Sequence, residues 1–271
     1  MRHALFLPIF NELADPRVDA RLAASAEEHG WDGVFVWDHI QYRSPADAVA
    51  DPWITLAAIA AATEAVRIGP MVTPLTRRRP QKLARETASL DVLSGGRLVL
   101  GVGLGSDGSA EQTTFGESDD AKVMAARLDE GLAVVEALWS GEVVHHHGRH
   151  FTVDGARFLP RPLQRPRVPI WVAGRWPNQG PLRRAARFDG FFPIELDAPD
   201  QLVEQIEAVQ ALRRPDAGGF EVVVRGGADE DPAPWEAAGA TWWLTDFDPF
   251  TVTAAEVASV AAAGPPGTVL R

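Results

Sequence analysis

Short runs rich in β-branched and aromatic residues alternate, from one end of the chain to the other, with Ala-rich stretches whose apolar positions recur every three to four residues. This alternation constrains the fold more than any single motif. A right-handed strand-helix-strand connection lays each new strand parallel beside the last. The strand-like runs are residues 4–10, 33–38, 66–73, 97–104, 168–173, 190–195, 220–225 and 241–246. Helix starts between them are marked by capping chemistry: Asp15 before Pro16, and Asp51 before Pro52. Pro80 opens a further helix through Leu83, Thr87, Leu90 and Leu93 that stops at Gly95 and Gly96. After the fourth run comes a long helix through Met124, Leu128, Leu132, Val135 and Leu138, then a hairpin over 142–158. Helices over 181–187 and 199–213, a short one near Trp235 and a last one through Val260 complete the pattern.

Eight strand-helix units predict an α/β chain folded as a (β/α)8 TIM barrel. It is expected to be one domain over 1–271, with a helix-plus-hairpin insertion at 118–158 between strands four and five. An open doubly wound sheet could use the same units, but it would have edge strands, and the first and last runs are as apolar as the middle ones. With 46% hydrophobic residues among 271, the chain can bury a large core, and 23% charged residues with regular apolar runs exclude disorder. The net charge of -11 opposes nucleic acid or an anionic membrane surface as a general partner. No apolar run approaches the roughly 20 residues needed to span a bilayer. Met1 to Phe10 reads as a strand rather than a leader, so a cytoplasmic site of action is expected. The absence of Cys excludes disulfides, thiolate metal sites and a Cys nucleophile.

In such a barrel the reacting groups stand at the C-terminal ends of strands. Asp38 and His39 end strand two and are the catalytic candidates, because a His side chain exchanges protons near neutrality. Period-2 alternation lets only one of them face the lumen unless His39 already belongs to the loop, and Asp38 then suits an orienting partner or helix cap. Gly101, Gly103 and Gly105 resemble a dinucleotide fingerprint, but a dozen polar residues precede the next helix, so they suit close approach of a flat ligand instead. Arg77, Arg78 and Arg79 open a helix and could hold an anion. Gly174-Arg175-Trp176-Pro177-Asn178 could do the same, with Trp176 covering an aromatic ring. Trp37, Met71, Phe115 and Trp176 suggest an aromatic-lined pocket. His145, His146, His147 and His150 lack a carboxylate placed to complete a metal site, so no metal is expected.

Taken together, Val36-Trp37-Asp38-His39, Gly69 to Pro74, Arg78-Arg79-Pro80, the run Leu90 to Arg97, Leu100 to Gly105, Pro169 to Gly174 and Arg184 to Gly190 resemble the bacterial luciferase-like family of flavin- or deazaflavin-dependent oxidoreductases. The resemblance covers nearly the whole chain. It implies a barrel that holds reduced FMN or coenzyme F420 at the strand C-termini, with His39 serving the reacting edge of the ring. It also implies a strained non-prolyl cis peptide in strand three, near Pro70–Met71. The implied cofactor contacts are Pro70, Met71, Thr73, Arg78, Gly103, Gly105, Gly174, Arg175 and Trp176, and the implied substrate-pocket residues are Trp37 and Phe115. Arg97 enters its strand from below and reads as structural. A homodimer is expected on the same ground, with hydride transfer or oxygenation of a small organic substrate as the competing reactions. The Asp38-His39 pair and the Arg-rich, Ala-rich coding bias incline the choice to the deazaflavin. A barrel that binds flavin without turnover is the alternative.

Overall fold

Carboxylates set where three of the long helices begin. Asp15 accepts from the Arg17 N–H, Asp51 from those of Trp53 and Ile54, and Asp120 from those of Lys122 and Val123. The computed structural model describes residues 1–267. Its first half runs β1 (Arg2–Leu7), α1 (Pro16–Glu28), β2 (Gly33–Val36), α2 (Pro52–Ala62), β3 (Arg67–Pro70), β4 (Thr73–Pro74), α3 (Pro80–Leu93) and β5 (Leu100–Gly103). Then follow α4 (Ala121–Trp139), the hairpin β6 (Val143–His147) and β7 (Thr152–Arg157), β8 (Ile170–Arg175), α5 (Gln179–Ala185) and β9 (Gly190–Ile194). The remainder is α6 (Pro199–Gln210), β10 (Glu221–Gly227), α7 (Ala233–Ala237), β11 (Trp242–Asp246) and α8 (Ala254–Ala263).

Neighbouring strands are parallel in the order β3-β2-β1-β11-β10-β9-β8-β5-β4. β3 and β4 are two halves of one stave, which the sequence presents as a single run. The ring closes across that stave: Ile68 of β3 bridges Leu98, the Val99 N–H donates to the Ile68 carbonyl at 2.8 Å, and β4 pairs Thr73 with Val102 of β5. The result is the eight-staved barrel that the alternation predicts.

The break falls at a cis peptide between Met71 and Val72, one residue later than the expected Pro70–Met71. It explains two glycines of β5. A Cβ on Gly101 would meet the Pro70 carbonyl and lie 2.5 Å from the Met71 Sδ, and one on Gly103 would lie 2.8 Å from Val72. The missing side chains of these glycines admit the neighbouring stave.

Alternation along each strand separates two cores. Leu5, Leu7, Val34 and Val36 face outward under α1 and α2, whereas Phe6, Phe35, Met71, Trp171 and Trp242 fill the barrel. The rings of Phe35, Trp171 and Trp242 lie 5.4–5.7 Å apart. At the base, Arg97 ties a helix end to the strands by donating to the carbonyls of Ala60, Thr63, Val66 and Ser94. α4 lies along α3, and β6–β7 forms a separate antiparallel pair. His145 meets Asp154 there and His146 meets Glu130, which also receives the Phe151 N–H. No helix among the described residues is long and apolar enough to cross a membrane.

Candidate active site

β2 ends at Val36, so Trp37, Asp38 and His39 all lie in the loop and strand alternation does not limit them. Asp38 turns inward and its side chain has 0% exposure. Its Oδ1 accepts from Arg77 Nη2 at 2.9 Å and from Arg78 Nη2 at 2.8 Å, and its Oδ2 accepts from the Thr73 hydroxyl at 2.8 Å. Arg77 also donates to the Asp38 carbonyl at 2.8 Å. The carboxylate thus locks the loop after β2 to the segment that follows β4. Burial pulls Arg77 below its ordinary pKa, against the opposing pull of Asp38 and Glu111. For Arg78 burial acts in the same sense, but Asp38 outweighs it and the pKa rises.

His39 is held by a residue that the sequence did not suggest. Its Nδ1 lies 2.7 Å from Glu111 Oε2, and the Ile40 N–H donates to Glu111 Oε1 at 2.8 Å. A carboxylate acceptor places the proton on Nδ1, so the Nε2 lone pair faces outward, where no described residue bonds it. Phe10, Trp37 and Tyr42 surround the imidazole, with centroids at 5.7, 5.8 and 4.8 Å. Glu111 sits in a polar loop without periodicity, and its only sequence signal is its place after strand four. Tyr42 was missed for the same reason.

Above the barrel interior the half-buried side chains of Trp37, Val72, Ala173 and Ile194 form an apolar floor. A cleft of about 710 Å³ opens beside it, lined by Trp37, Tyr42, Arg225, Asp246 and Phe250 among others. Its wall is acidic, with Glu195, Asp197, Glu230 and Asp248 joining Asp246. Burial raises the Asp246 pKa against the pull of Arg225, 2.5 Å away. The Arg43 guanidinium lies over the Tyr42 and Phe250 rings at 5.8 and 5.3 Å.

The other expected site residues scatter. Pro70 and Met71 are buried, Met71 inside the barrel; Val72 is the member of that turn that reaches the mouth. Thr73 and Arg78 are bonded to Asp38. The space a Cβ would need at Gly105 is taken by Pro74, and at Gly174 by Pro181. Arg175 is exposed on the rim and pairs with the equally exposed Glu195 at 2.7 Å. Phe115 and Trp176 are exposed at 57% and 39%, and neither lines the cleft, whereas Trp37 does.

Comparison with known proteins follows the same geometry. An F420-dependent glucose-6-phosphate dehydrogenase of Nakamurella multipartita is 36% identical over 212 residues, which cover 75% of this chain and 57% of the relative. A phthiodiolone/phenolphthiodiolone dimycocerosates ketoreductase of a Mycobacterium strain is 34% identical over 170 residues, 61% of this chain and 43% of the relative. The chain spans about half the length of the curated relatives it matches. Among solved structures, a monooxygenase from Streptomyces bottropensis superposes with a TM-score of 0.78 at 23% identity, covering 96% of both chains. An F420-dependent secondary alcohol dehydrogenase superposes at 0.71 with 24% identity, over 96% of this chain and 81% of that one. These two likenesses concern the fold. The sequence model of the luciferase-like monooxygenases matches residues 1–263, and the chain belongs to that family.

Proposed function

We propose that the protein is an oxidoreductase that moves a hydride between coenzyme F420 and a small organic substrate at the C-terminal mouth of its barrel. The observation that carries this is the His39–Glu111 pair standing beside an apolar floor. The family and the relatives named for F420 support it.

The residues present fit a flat tricyclic ring. The floor is apolar, the cleft falls within the roughly 300–1,000 Å³ of ordinary ligand sites, and the buried Trp37 Nε1 has no partner among the described residues. Trp37, Val72, Ala173 and Ile194 would hold the ring, and Arg175, with Gly174 and Trp176 beside it on the rim, would serve an anionic tail. When bound, the deazaflavin supplies or accepts the hydride. His39 Nε2 takes or returns the proton of the substrate oxygen as its carbon is oxidised or reduced. Glu111 fixes the tautomer and balances the imidazolium charge. Asp38 touches no substrate: it holds Arg77, Arg78 and Thr73, which keep the loop bearing Trp37 and His39 in place. Oxygenation with reduced FMN is the competing reaction. A cytoplasmic homodimer is part of the same proposal, to be checked by light scattering and fractionation.

The test is an absorption spectrum after incubation with each oxidised cofactor, followed by turnover of the His39→Ala variant. Bound F420 is expected, with turnover reduced on the order of 10²–10⁴-fold while the chromophore stays bound. Binding of FMN alone would favour oxygenation, undiminished turnover would remove His39 from the mechanism, and an inactive parent would favour a binding protein.

A further inference from the structure

At the opposite end of the barrel a second cavity, of about 220 Å³, opens among the N-terminal ends of the strands. Arg2, Arg67, Arg165 and Arg167 line it together with Trp171 and Trp242. Two carboxylates, Asp189 and Glu221, share the wall, so positive charge is in excess by two. The acids are already engaged: Arg2 pairs with Glu221 at 2.5 Å, and Arg167 pairs with Asp189 at 2.5 Å and Glu136 at 2.7 Å.

The other two guanidiniums make no ion pair among the described residues. Arg67 uses Nη1 alone, donating to the Gly96 carbonyl at 3.0 Å and to Gln164 Oε1 at 3.2 Å. Arg165 also uses Nη1 alone, on the carbonyls of Pro162, Leu163 and Gln164. Each leaves the Nε and Nη2 side of its fork unbonded, the geometry that suits two oxygens of one anion.

A second observation is independent of the charge. Trp171 and Trp242 are 2% and 1% exposed, and the indole N–H of each is buried without a partner among the described residues. An indole N–H can only donate, so what completes it must be an acceptor. Both tryptophans line the cavity, and its excess guanidinium charge asks for an anion. Burial also pulls Arg67 below its ordinary pKa, with Arg2 adding to the effect and Asp91 and Glu221 opposing it.

We infer that this cavity is an oxyanion site, separate from the catalytic mouth, which takes inorganic phosphate or the phosphoryl group of a small monoester. The forks of Arg67 and Arg165 grip it, and Trp171 and Trp242 wall it off from the barrel interior. The C-terminal cleft, walled by carboxylates, offers no comparable surplus of positive charge.

The test uses the full chain labelled with ¹⁵N at the indole nitrogens, with Trp171→Phe and Trp242→Phe variants to assign the two resonances. Inorganic phosphate and glycerol phosphate are titrated separately at constant ionic strength, with chloride as control. Both indole resonances are expected to shift saturably, and the Arg67→Gln/Arg165→Gln variant to bind at least tenfold more weakly. Saturation by both ligands would assign the free ion, and saturation by the monoester alone an organic phosphate. Shifts no larger than those with chloride, or equal affinity in the double variant, would overturn the site. If the double variant fails to fold, the exposed Arg165→Gln alone carries the comparison, and unchanged affinity there would overturn the role of that residue and with it the grip proposed.

Discussion

At the C-terminal mouth Arg77 and Arg78 converge on the buried carboxylate of Asp38, and Arg77 stands 3.5 Å from Glu111 as well. At the N-terminal end Arg67 and Arg165 meet only carbonyls and an amide. Both ends gather arginines, but one neutralises them inside the protein and the other leaves them in surplus. A buried charge is tolerated when it is paired and hydrogen-bonded. The paired cluster therefore acts as framework, holding Trp37 and His39 in place, while the unpaired one is available to a ligand. The run of three arginines after strand three is thus divided: Arg77 and Arg78 are bonded to Asp38, and Arg79 is exposed.

Removing the centre of the paired cluster should have the largest effect. Asp38→Ala leaves two buried guanidiniums facing a neutral side chain, and the expected loss of stability is about 3–5 kcal/mol. Urea denaturation measures it; a loss below about 1 kcal/mol would mean that the pairing is not framework. Arg97→Met asks the matching question at the other end, where a guanidinium 8% exposed is satisfied by four carbonyls and the Thr63 hydroxyl. Orphaning those acceptors should cost roughly 2–4 kcal/mol and leave cofactor binding at the C-terminal mouth unchanged while the protein stays folded. Weakened cofactor binding in the folded variant would break the separation of the two ends.

Glu111→Gln tests the chemistry of the paired end. The amide can still accept from Ile40 but no longer balances an imidazolium, so kcat should fall about 10–100-fold with KM little changed. A fall in thermal stability with kcat preserved would make Glu111 structural only.

The sequence showed the ring of staves plainly because the staves are largely buried on both faces and several helix starts, those of α1, α2, α4 and α8, carry a side-chain cap. Pro16 and Asp51, for example, sit where those rules put them. It misplaced what depends on backbone path. That Pro70, Met71 and Val72 press against Gly101 and Gly103 is not visible in the sequence. It also missed Glu111, because a contact across 72 residues between two irregular loops leaves no periodicity to read. His39 could be named from its place after strand two, but whether a partner held it could not. Phe115 and Trp176 are aromatic and follow strands four and five, but aromaticity does not say which side of a rim a residue occupies, and both are exposed away from the cleft.

Asp19 is the counterpart of Asp38: a carboxylate equally buried, in the first turn of α1, with both oxygens lacking a partner among the described residues. Burial, with Asp15 adding to it, raises its pKa to about 8. Between the unfolded value near 4 and that figure the folded state binds the extra proton, so this group makes stability fall as pH rises through the window and level off above about 8. Asp19→Asn removes the titration. The stability of the variant relative to the parent should therefore grow from pH 4 to pH 8. A rise from near 4 to about 8 corresponds to about 5 kcal/mol, and the positive end of α1, which eases the ionised form by roughly 1 kcal/mol, holds the expected growth to about 4 kcal/mol. Denaturation at several pH values measures it. A difference that stays constant with pH would show that Asp19 is ionised at little cost, and the contrast between paired and unpaired carboxylates would then not extend beyond the mouth.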